Sequence, residues 1–358
     1  MKELYPRKID LSKEYLYKRY CSNFPQLKNY LPKEFEFTLF KNNPVSNNNI
    51  VIEGDDGSYL MLEKLKSNCF PREMDEFAVK ILNDSGIKSE SFGIMGILNV
   101  TPDSFSDGGN YDTIEKALKH AEKLISDGAD IIDVGGESSR PGAPSVEVDE
   151  EMRRVLPVIK EIKNSFPKSI ISIDTTKSLV AEKAVEIGAD IVNDISCFDS
   201  DYWILDVCSR NDIPLIGMHM NGNPQTMQNN PFYTDVVEEV LAYFQRKIDQ
   251  IEKRNFHKFI LDPGIGFGKR VKDNFEIIDR CSEFKLFGYP VLIGLSKKSY
   301  IGKSLNLEVD ERENATIISE LLAIKNGVDF VRTHNVRNLF QARQLLKFYK
   351  TPEMTDNV

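Results

Sequence analysis

The chain has 358 residues, of which 41% are apolar and 28% charged, and its formal net charge at pH 7 is −9. This composition predicts a globular protein, and the acidic balance argues against a general nucleic-acid-binding surface. No apolar run approaches the roughly 20 residues that span a bilayer, and the first residues carry no signal-peptide pattern, so we expect a cytoplasmic protein. The five cysteines are scattered without a C-x-x-C pair, which favours reduced thiols.

Residues 1–90 are expected to form an N-terminal α+β extension. The segment EFEFTLF (34–40) alternates as a strand does, and residues 49–63 predict a hairpin that turns at Asp56-Gly57. Residues 71–86 predict a short helix with a proline in its first turn and a glycine at its end. Because no catalytic constellation is evident here, we interpret the extension as a cap on the following domain or an assembly surface.

Residues 91–350 repeat one theme, in which a short apolar run is followed by a polar turn and an amphipathic segment of helical period. The eight apolar runs are 92–100, 129–136, 169–174, 189–195, 213–219, 258–264, 289–295 and 328–334. Helices are predicted at 113–128, 175–188 and 313–327, each ending in glycine. Eight strand–helix units predict an α/β fold of the (β/α)8 TIM barrel type, with 351–358 as a tail. A doubly wound sheet is the alternative, but no G-x-G-x-x-G follows the first strand.

Polar side chains stand at the ends of all eight predicted strands, where a barrel of this type builds its active site. A buried strand end has no structural need for such groups, since an unpaired polar side chain costs a few kcal/mol. The residues are Asn99; Asp133 and Glu137; Asp174; Asn193 and Asp194; Met218 and His219; Asp262; Ser296, Lys297 and Lys298; and Arg332 and His334. Their succession predicts a single site.

The chemistry of these residues suggests the ligand. Asp174, Asn193 and Asp262 suit an edge that presents N–H donors, as an aminopyrimidine does, and Met218 and Phe267 could pack on the faces of its ring. Cationic groups suited to an anion come from Arg140, Lys298, Arg332 and His334. The pattern predicts a flat heterocycle carrying a negative group.

Simpler structural interpretations exist for single residues. Asp174 precedes a predicted helix and could be its N-cap. Met218 and Phe267 could be ordinary core residues, and His219 could support the neighbouring loop.

Several motifs together resemble the dihydropteroate synthase family over about residues 92–348. The two longest are GILNVTPDSFSDGG (96–109) and IIDVGGESSRPGA (131–143). The likeness continues, in the order usual for the family, through SIDTTK (172–177), VNDI (192–195), MHMNGNPQTMQ (218–228), DPGIGFGK (262–269), GLSKKSYIG (294–302) and VRTHNV (331–336).

The resemblance implies a transferase of folate biosynthesis and a sulfonamide target. Such an enzyme condenses 6-hydroxymethyl-7,8-dihydropterin diphosphate with p-aminobenzoate, giving 7,8-dihydropteroate and diphosphate. The resemblance also implies which residues would bind each part of the substrates. The pterin is bound by Asp174, Asn193, Asp262 and Lys298 and flanked by Met218 and Phe267. The diphosphate is bound by Asn99, Arg332 and His334, with Mg²⁺ at Asn99. The p-aminobenzoate is surrounded by Phe105, Ser139, Arg140, Pro141 and Ser299.

Two segments, 101–109 and 137–142, resemble loops that close over the site in this family. The polar run around Phe105 is therefore interpreted as a lid. The groups expected to act on the leaving diphosphate and the intermediate cation are Asp103, Asp107, Arg140 and Lys298. The expected partners are the two small substrates and a second copy of the chain, with neither nucleic acid nor membrane.

Three positions depart from the pattern that the family usually shows. Ser139 takes the place of a threonine, Lys297 that of an arginine, and Asn335 that of an aspartate that would support His334. Two other functions are compatible with a pterin site on this barrel: a pterin-dependent methyltransferase and a non-catalytic pterin-binding protein. The methyltransferase would need neither the Ser-Arg-Pro loop nor the Arg-x-His anion site, and an intact lid and anion site argue against a non-catalytic protein.

Overall fold

The computed structural model describes residues 92–101, 110–138, 143–222, 224–287 and 289–350, together with three strands nearer the N-terminus. The predicted helix at 71–86, the predicted turn Asp56-Gly57 and the tail at 351–358 lie outside the described residues. Most of the two predicted active-site loops, 102–109 and 139–142, lies outside them as well.

The three N-terminal strands form a small antiparallel sheet. They are β1 (Glu36–Thr38), β2 (Val51–Glu53) and β3 (Tyr59–Met61), and β2 pairs with both of the others. The pairing of β2 with β3 agrees with the hairpin predicted for 49–63, and β1 lies within the predicted strand at 34–40.

All eight predicted barrel strands are present, and they pair in parallel. They are β4 (Gly93–Asn99), β5 (Ile131–Gly135), β6 (Ile170–Asp174), β7 (Ile191–Asp194), β8 (Leu215–Met218), β9 (Phe259–Asp262), β10 (Leu292–Gly294) and β11 (Phe330–Thr333). The sheet runs in the order β10-β11-β4-β5-β6-β7-β8-β9, and a parallel bridge from Leu261 to Val291 joins its two edges. The TIM barrel prediction is therefore confirmed.

Helices separate the strands and cover the outside of the barrel. They are α1 (Asn110–Ser126), α2 (Val148–Ser165), α3 (Ser178–Glu186), α4 (Trp203–Asn211), α5 (Val236–Glu252), α6 (Val271–Asp279), α7 (Ser299–Leu305), α8 (Glu313–Lys325) and α9 (Val336–Lys350). The three predicted helices correspond to α1, α3 and α8. Among the described helices, none has the length and apolarity to cross a membrane.

The core has two layers because successive strand residues face opposite sides of a sheet. Outward residues such as Ile94, Ile132 and Val331 join the large cluster beneath the helices. The inward residues at the strand starts form a separate apolar cluster that fills the barrel. It contains Met95, Ile131, Ile191, Ile216, Ile260, Leu292 and Phe330, with Ile170 packed against it.

Candidate active site

The inward positions two residues after this apolar cluster carry polar side chains on most strands. Counting on by two from Ile131, Ile191, Ile260 and Phe330 gives Asp133, Asn193, Asp262 and Arg332, whereas β8 contributes Met218. Asp174 and Asn99 are the inward residues at the ends of β6 and β4. The barrel therefore changes from apolar to polar within one layer, at the carboxyl ends of its strands.

Arg332 links three strands across this layer. Its Nε donates to Oδ2 of Asp133 at 2.5 Å, and its terminal nitrogen donates to Oδ2 of Asp174 at 2.7 Å. The same Asp133 oxygen accepts a bond of 3.2 Å from Nδ2 of Asn193. A carboxylate can only accept, so Asn193 turns its amide nitrogen inward, and its Oδ1 is the atom left to accept from a ligand.

Asp174 belongs to the inner polar layer and does not cap a helix. Helix α3 begins at Ser178, whose backbone N–H donates to Asp201, so the alternative interpretation of Asp174 as an N-cap is wrong. Burial raises the pKa of the Asp174 carboxyl to about 7; Arg332 opposes this shift and the Asp133 carboxylate adds to it. The Asp174 carboxyl therefore binds a proton more readily than an exposed aspartate does.

Asp262 and Lys298 lie on the other side of the layer. Oδ1 of Asp262 accepts from the backbone N–H of Gly264 at 2.8 Å, and burial raises the pKa of its carboxyl. Lys298 holds its ammonium 4.1 Å from the centre of the Phe267 ring. Burial lowers the pKa of Lys298 to about 8, although Asp262 opposes the shift. Lys298 thus remains mostly cationic at neutral pH while being poorly hydrated.

A sulfur and aromatic cluster lies beside these charges. Met218, Met227 and Phe267 are buried together, with Ile195 and Met220 packed against them. Met218 and Phe267, which are predicted to pack on the faces of a flat ring, thus belong to one buried cluster, and Lys298 lies against the Phe267 ring. Met227 and Ile195 were not predicted as site residues, because neither carries a polar side chain at the end of a strand.

The anion side of the predicted site includes His334, which is exposed. Its Nδ1 lies 2.9 Å from Oγ of Ser296, and its backbone N–H donates to the same oxygen at 3.3 Å. Asn335 instead contacts Glu313 and caps the start of α9 at Asn338. His334 is therefore supported by Ser296, which answers the question raised by the missing aspartate at position 335.

Asp194 differs from its neighbour Asn193 because it faces away from the barrel interior. Its carboxylate accepts from the backbone and hydroxyl of Ser196, at 2.8 and 2.7 Å, and from the backbone of Phe198 at 2.5 Å. Cys197 and Phe198 in this turn have left-handed φ angles of 51° and 55°. Asp194 thus fixes a strained turn after β7 and is not part of the inner layer.

Glu137 is the first residue of the second predicted loop, and an ion pair with Lys177 holds its carboxylate. Lys177 bridges Glu137 to Glu151, a buried residue of α2. A cavity of about 300 Å³ adjoins this bridge and reaches Asp174; Glu137, Thr175, Ser196 and Gln225 are among its lining residues. This cavity therefore lies beside the inner polar layer, which Asp174 joins to it.

The remaining predicted residues divide into two groups. Ser299 is exposed at the first turn of α7, and Asn99 is partly buried at the end of β4. Asp103, Phe105, Asp107, Ser139, Arg140 and Pro141 lie outside the described residues. In the described part of the chain, no group of three or more His, Cys, Asp or Glu side chains could hold a metal ion.

Sequence reasoning gave no role to Asp133, which stands at the centre of the inner layer. Oδ1 of Asp133 is buried without a hydrogen-bond partner in the described structure. Asp133 lies two residues after Ile131, so the alternation of inward and outward residues along β5 was the signal that could have identified Asp133.

A family model and curated sequences match this chain over the barrel. The model described as "Pterin binding enzyme" matches residues 95–334. Dihydropteroate synthase of Escherichia coli (strain K12) is 43% identical over 256 residues, which are 71% of this chain and 90% of that protein.

Solved structures of the same kind resemble the fold. Dihydropteroate synthase of Xanthomonas albilineans with 4-aminobenzoic acid has a TM-score of 0.69 and 37% identity, covering 73% of this chain and 94% of that one. The enzyme of Yersinia pestis in a sulfonamide drug complex has a TM-score of 0.69 and 36% identity, covering 73% of this chain and 95% of that one.

Proposed function

This chain belongs to the dihydropteroate synthase family, and we propose how its residues divide the work of that reaction. It is a transferase that condenses 6-hydroxymethyl-7,8-dihydropterin diphosphate with p-aminobenzoate. The observation that most directly supports our assignment is the inner layer of acceptors, Asp174, Asn193 and Asp262, beside the apolar pair Met218 and Phe267. A pterin presents N–H donors at its edge and flat faces above and below, which this layer complements.

The pterin would lie with its donors toward the three acceptors and Lys298. Asn193 offers Oδ1, because Asp133 occupies its amide nitrogen. Asp262 is buried at the end of β9, so a ligand donor that reaches it gains a hydrogen bond in a poorly hydrated site. Met218 and Phe267 would flank the ring.

The diphosphate would be bound by Asn99, Arg332 and His334. Two of these side chains are potential cations, and His334 is exposed on its support at Ser296. Arg332 is paired with Asp133 and Asp174 without ligand, so anion binding has to compete with these carboxylates. The diphosphate would therefore bind more readily when pterin donors occupy Asp174.

Magnesium would be held by the amide oxygen of Asn99 together with oxygens of the diphosphate and water. This fits the chemistry of Mg²⁺, which takes few protein ligands and keeps substrate phosphates and water. It also fits the lack of a cluster of three or more acidic, His or Cys ligands among the described residues. The ion would supply positive charge against the leaving diphosphate.

The p-aminobenzoate would bind outside the pterin, between Ser299 and the two loops. Phe105, Ser139, Arg140 and Pro141 are proposed to surround it on the strength of the family resemblance. Ser299 is exposed next to Lys298, which supports a second substrate at this edge. Asp103, Asp107 and Arg140 are proposed to provide electrostatic stabilisation from the loops.

The reaction needs no covalent nucleophile on the protein. The bond between the pterin methylene carbon and the diphosphate oxygen breaks, the amine nitrogen bonds to that carbon, and the nitrogen then loses a proton. Lys298 and Arg140 would stabilise the developing negative charge on the leaving group, and the loops would exclude water.

Assembly and location are the last parts of the proposal. We propose a homodimer, because the adjacent helices α8 and α9 expose the apolar side chains of Ile318, Leu322, Leu345 and Phe348. A reducing compartment such as the cytoplasm is supported by the free, buried thiols of Cys197, Cys208 and Cys281.

The direct test is to incubate the purified protein with the pterin diphosphate, Mg²⁺ and labelled p-aminobenzoate. Labelled dihydropteroate is the expected product, and its formation should stop without the pterin diphosphate. A protein that binds pterin but forms no product would support the non-catalytic alternative. Methyl transfer from a methylated pterin in place of condensation would support the methyltransferase.

A further inference from the structure

Lys269 is buried between the loops that follow β8 and β9, and neither the pterin nor the anion assignment uses it. Only 4% of the residue is exposed. Its Nζ lies 2.9 Å from Nδ1 of His219, 3.1 Å from the carbonyl oxygen of Phe267 and 3.4 Å from that of His219. Its partners thus belong to two loops, one following Met218 and the other carrying Phe267.

The backbones of the two loops are in close contact. A Cβ on Gly264 would lie 1.9 Å from the carbonyl oxygen of His219, and one on Gly268 would lie 2.6 Å from that of Asn221. Both glycines have left-handed φ angles, of 70° and 63°. The hydroxyl of Tyr233 donates to the carbonyl of Gly268 at 2.9 Å. Lys269 is therefore one of the side chains that join the loops where they already touch, and among these its ammonium group is buried next to His219.

The hydrogen bonds match the donors of an ammonium group. A protonated lysine has three N–H donors and no acceptor, and its three partners here are two carbonyls and a ring nitrogen. This arrangement requires neutral His219 with its proton on Nε2. Burial lowers the pKa of His219 well below its usual value, and Lys269 and Arg246 add to the shift. The histidine therefore stays neutral and accepts.

The charge on Lys269 is expensive to bury. Burial lowers its pKa to about 7; Asp262 and Asp273 oppose the shift, and Lys298 adds to it. A methionine of similar shape would fill the same space without this penalty. A methionine could not make the hydrogen bonds that Lys269 makes to the two loops, so the structural effect of this lysine lies in those bonds.

We propose that Lys269 is a positioning residue that clamps the β8 and β9 loops and so sets the distance between Met218 and Phe267. This rests on the proposed function, because it assumes that a pterin ring lies between those two side chains. Lys269 touches neither the ring nor the reacting atoms. It acts through the carbonyl of Phe267 and through His219, the residue next to Met218.

The test is Lys269→Met, with Lys272→Met as the matched control on an exposed residue of α6. Lys269→Met removes the hydrogen bonds that hold the β8 and β9 loops together, and this loss should weaken pterin binding about tenfold. Binding of free diphosphate with Mg²⁺, the KM for p-aminobenzoate and kcat at saturating pterin diphosphate should each change by less than about threefold. Lys272→Met should behave as the unaltered protein. Calorimetry with 6-hydroxymethylpterin and steady-state kinetics give these values.

The result that would overturn the clamp is unchanged pterin affinity in folded Lys269→Met, or an equal loss for pterin, diphosphate and p-aminobenzoate. If Lys269→Met cannot be purified, His219→Asn removes the ring acceptor while leaving both carbonyls. It should show the same selective loss at smaller size, and unchanged pterin affinity there would also overturn the proposal. Absence of dihydropteroate formation by the unaltered protein would count against the proposed function instead.

Discussion

At the scale of single residues, Asp133 determines what its neighbours offer to a ligand. One of its oxygens holds both Asn193 and Arg332, and the other has no hydrogen-bond partner in the described structure. In the proposed site, this carboxylate orients the acceptor assigned to the pterin and also neutralises the cation assigned to the diphosphate. The two effects have opposite consequences for the two ligands.

Asp133→Asn should therefore shift the two affinities in opposite directions. The amide can donate as well as accept, so Asn193 is no longer forced to present Oδ1, and pterin binding should weaken about tenfold. Removing a negative charge beside Arg332 should tighten binding of Mg²⁺-diphosphate severalfold. Calorimetry with each ligand measures both, with Asp310→Asn on the exposed surface as the control. Parallel losses for the two ligands would mean that Asp133 has only a structural role.

The pairs that build the site could not be predicted from the sequence. Asp133 and Arg332 are 199 positions apart, and Asp174 and Arg332 are 158 apart. The position of each residue at a strand end was predictable, because strand period and turn residues are local. Which side chains form hydrogen bonds across the barrel depends on the register between strands. No local sequence pattern indicates that register.

At the scale of elements, strand and helix identity were predictable and some boundaries were not. The run 289–295 gave only Leu292–Gly294 as a strand, because Pro290 has no N–H for the ladder. The helix predicted from residue 175 begins at Ser178, because Thr175 first accepts from the backbone of Lys177. In both cases one side chain or one missing donor moved the boundary.

Arg280, which is itself buried, joins α5, α6 and the segment that follows α6 through an ion cluster. Its guanidinium donates to Asp235 at the start of α5, to Glu276 of α6 and to Glu283, at distances between 2.6 and 3.0 Å. Only 4% of the residue is exposed. Removing this one cation leaves several carboxylates without their partner.

Arg280→Met should lower the free energy of unfolding by about 3–5 kcal/mol. The control is Arg210→Met, which breaks an exposed pair with Glu182 and should change that free energy by less than about 1 kcal/mol. Urea denaturation followed by circular dichroism compares the two. Similar small losses in both variants would show that the cluster contributes no more than a surface pair.

Helix α8 carries a carboxyl group that should make stability fall as the pH rises. Glu320 is fully buried, and burial raises the pKa of its carboxyl to about 8, although Thr333 opposes the shift. Between the unfolded value near 4.5 and about 8, the folded state holds a proton that the unfolded state has lost. The free energy of unfolding therefore decreases with rising pH across this window.

Glu320→Gln should remove that decrease, because glutamine keeps the shape and does not ionise. Denaturant unfolding at pH 5 and pH 8 should give a smaller difference for the variant than for the unaltered protein. Glu122→Gln, on an exposed position of α1, is the control and should leave the difference as it was. An unaltered pH dependence in Glu320→Gln would mean that Glu320 does not hold its proton in the folded state.

At the scale of the whole molecule, α8 and α9 expose a surface that a barrel alone does not require. Ile318 and Leu322 of α8 are 59% and 50% exposed, and Leu345 and Phe348 of α9 are 69% and 45% exposed. The two helices are neighbours in sequence and in contact. Four exposed apolar side chains on two adjacent helices support the proposal that these helices form an interface.

A second copy of the chain is the occupant we propose, because a twofold axis lets one apolar patch cover its own copy. A stable dimer needs roughly 1,000 Å² or more of buried surface, which two pairs of helices can supply. The unaltered protein should therefore sediment as a dimer at micromolar concentration. The double variant Ile318→Glu, Leu322→Glu should sediment as a monomer, because it places repelling charges on both sides of the axis.

The control for the interface is Trp203→Glu, which alters a side chain of α4 that is 69% exposed elsewhere on the barrel. It should remain dimeric. The inner polar layer lies wholly within one barrel, so the monomeric double variant should still bind 6-hydroxymethylpterin with an affinity within about threefold of the unaltered protein. A monomeric unaltered protein, or a double variant that still sediments as a dimer, would remove α8 and α9 as the interface. Loss of pterin binding on dissociation would instead mean that the second copy is needed to hold the barrel mouth in its binding form.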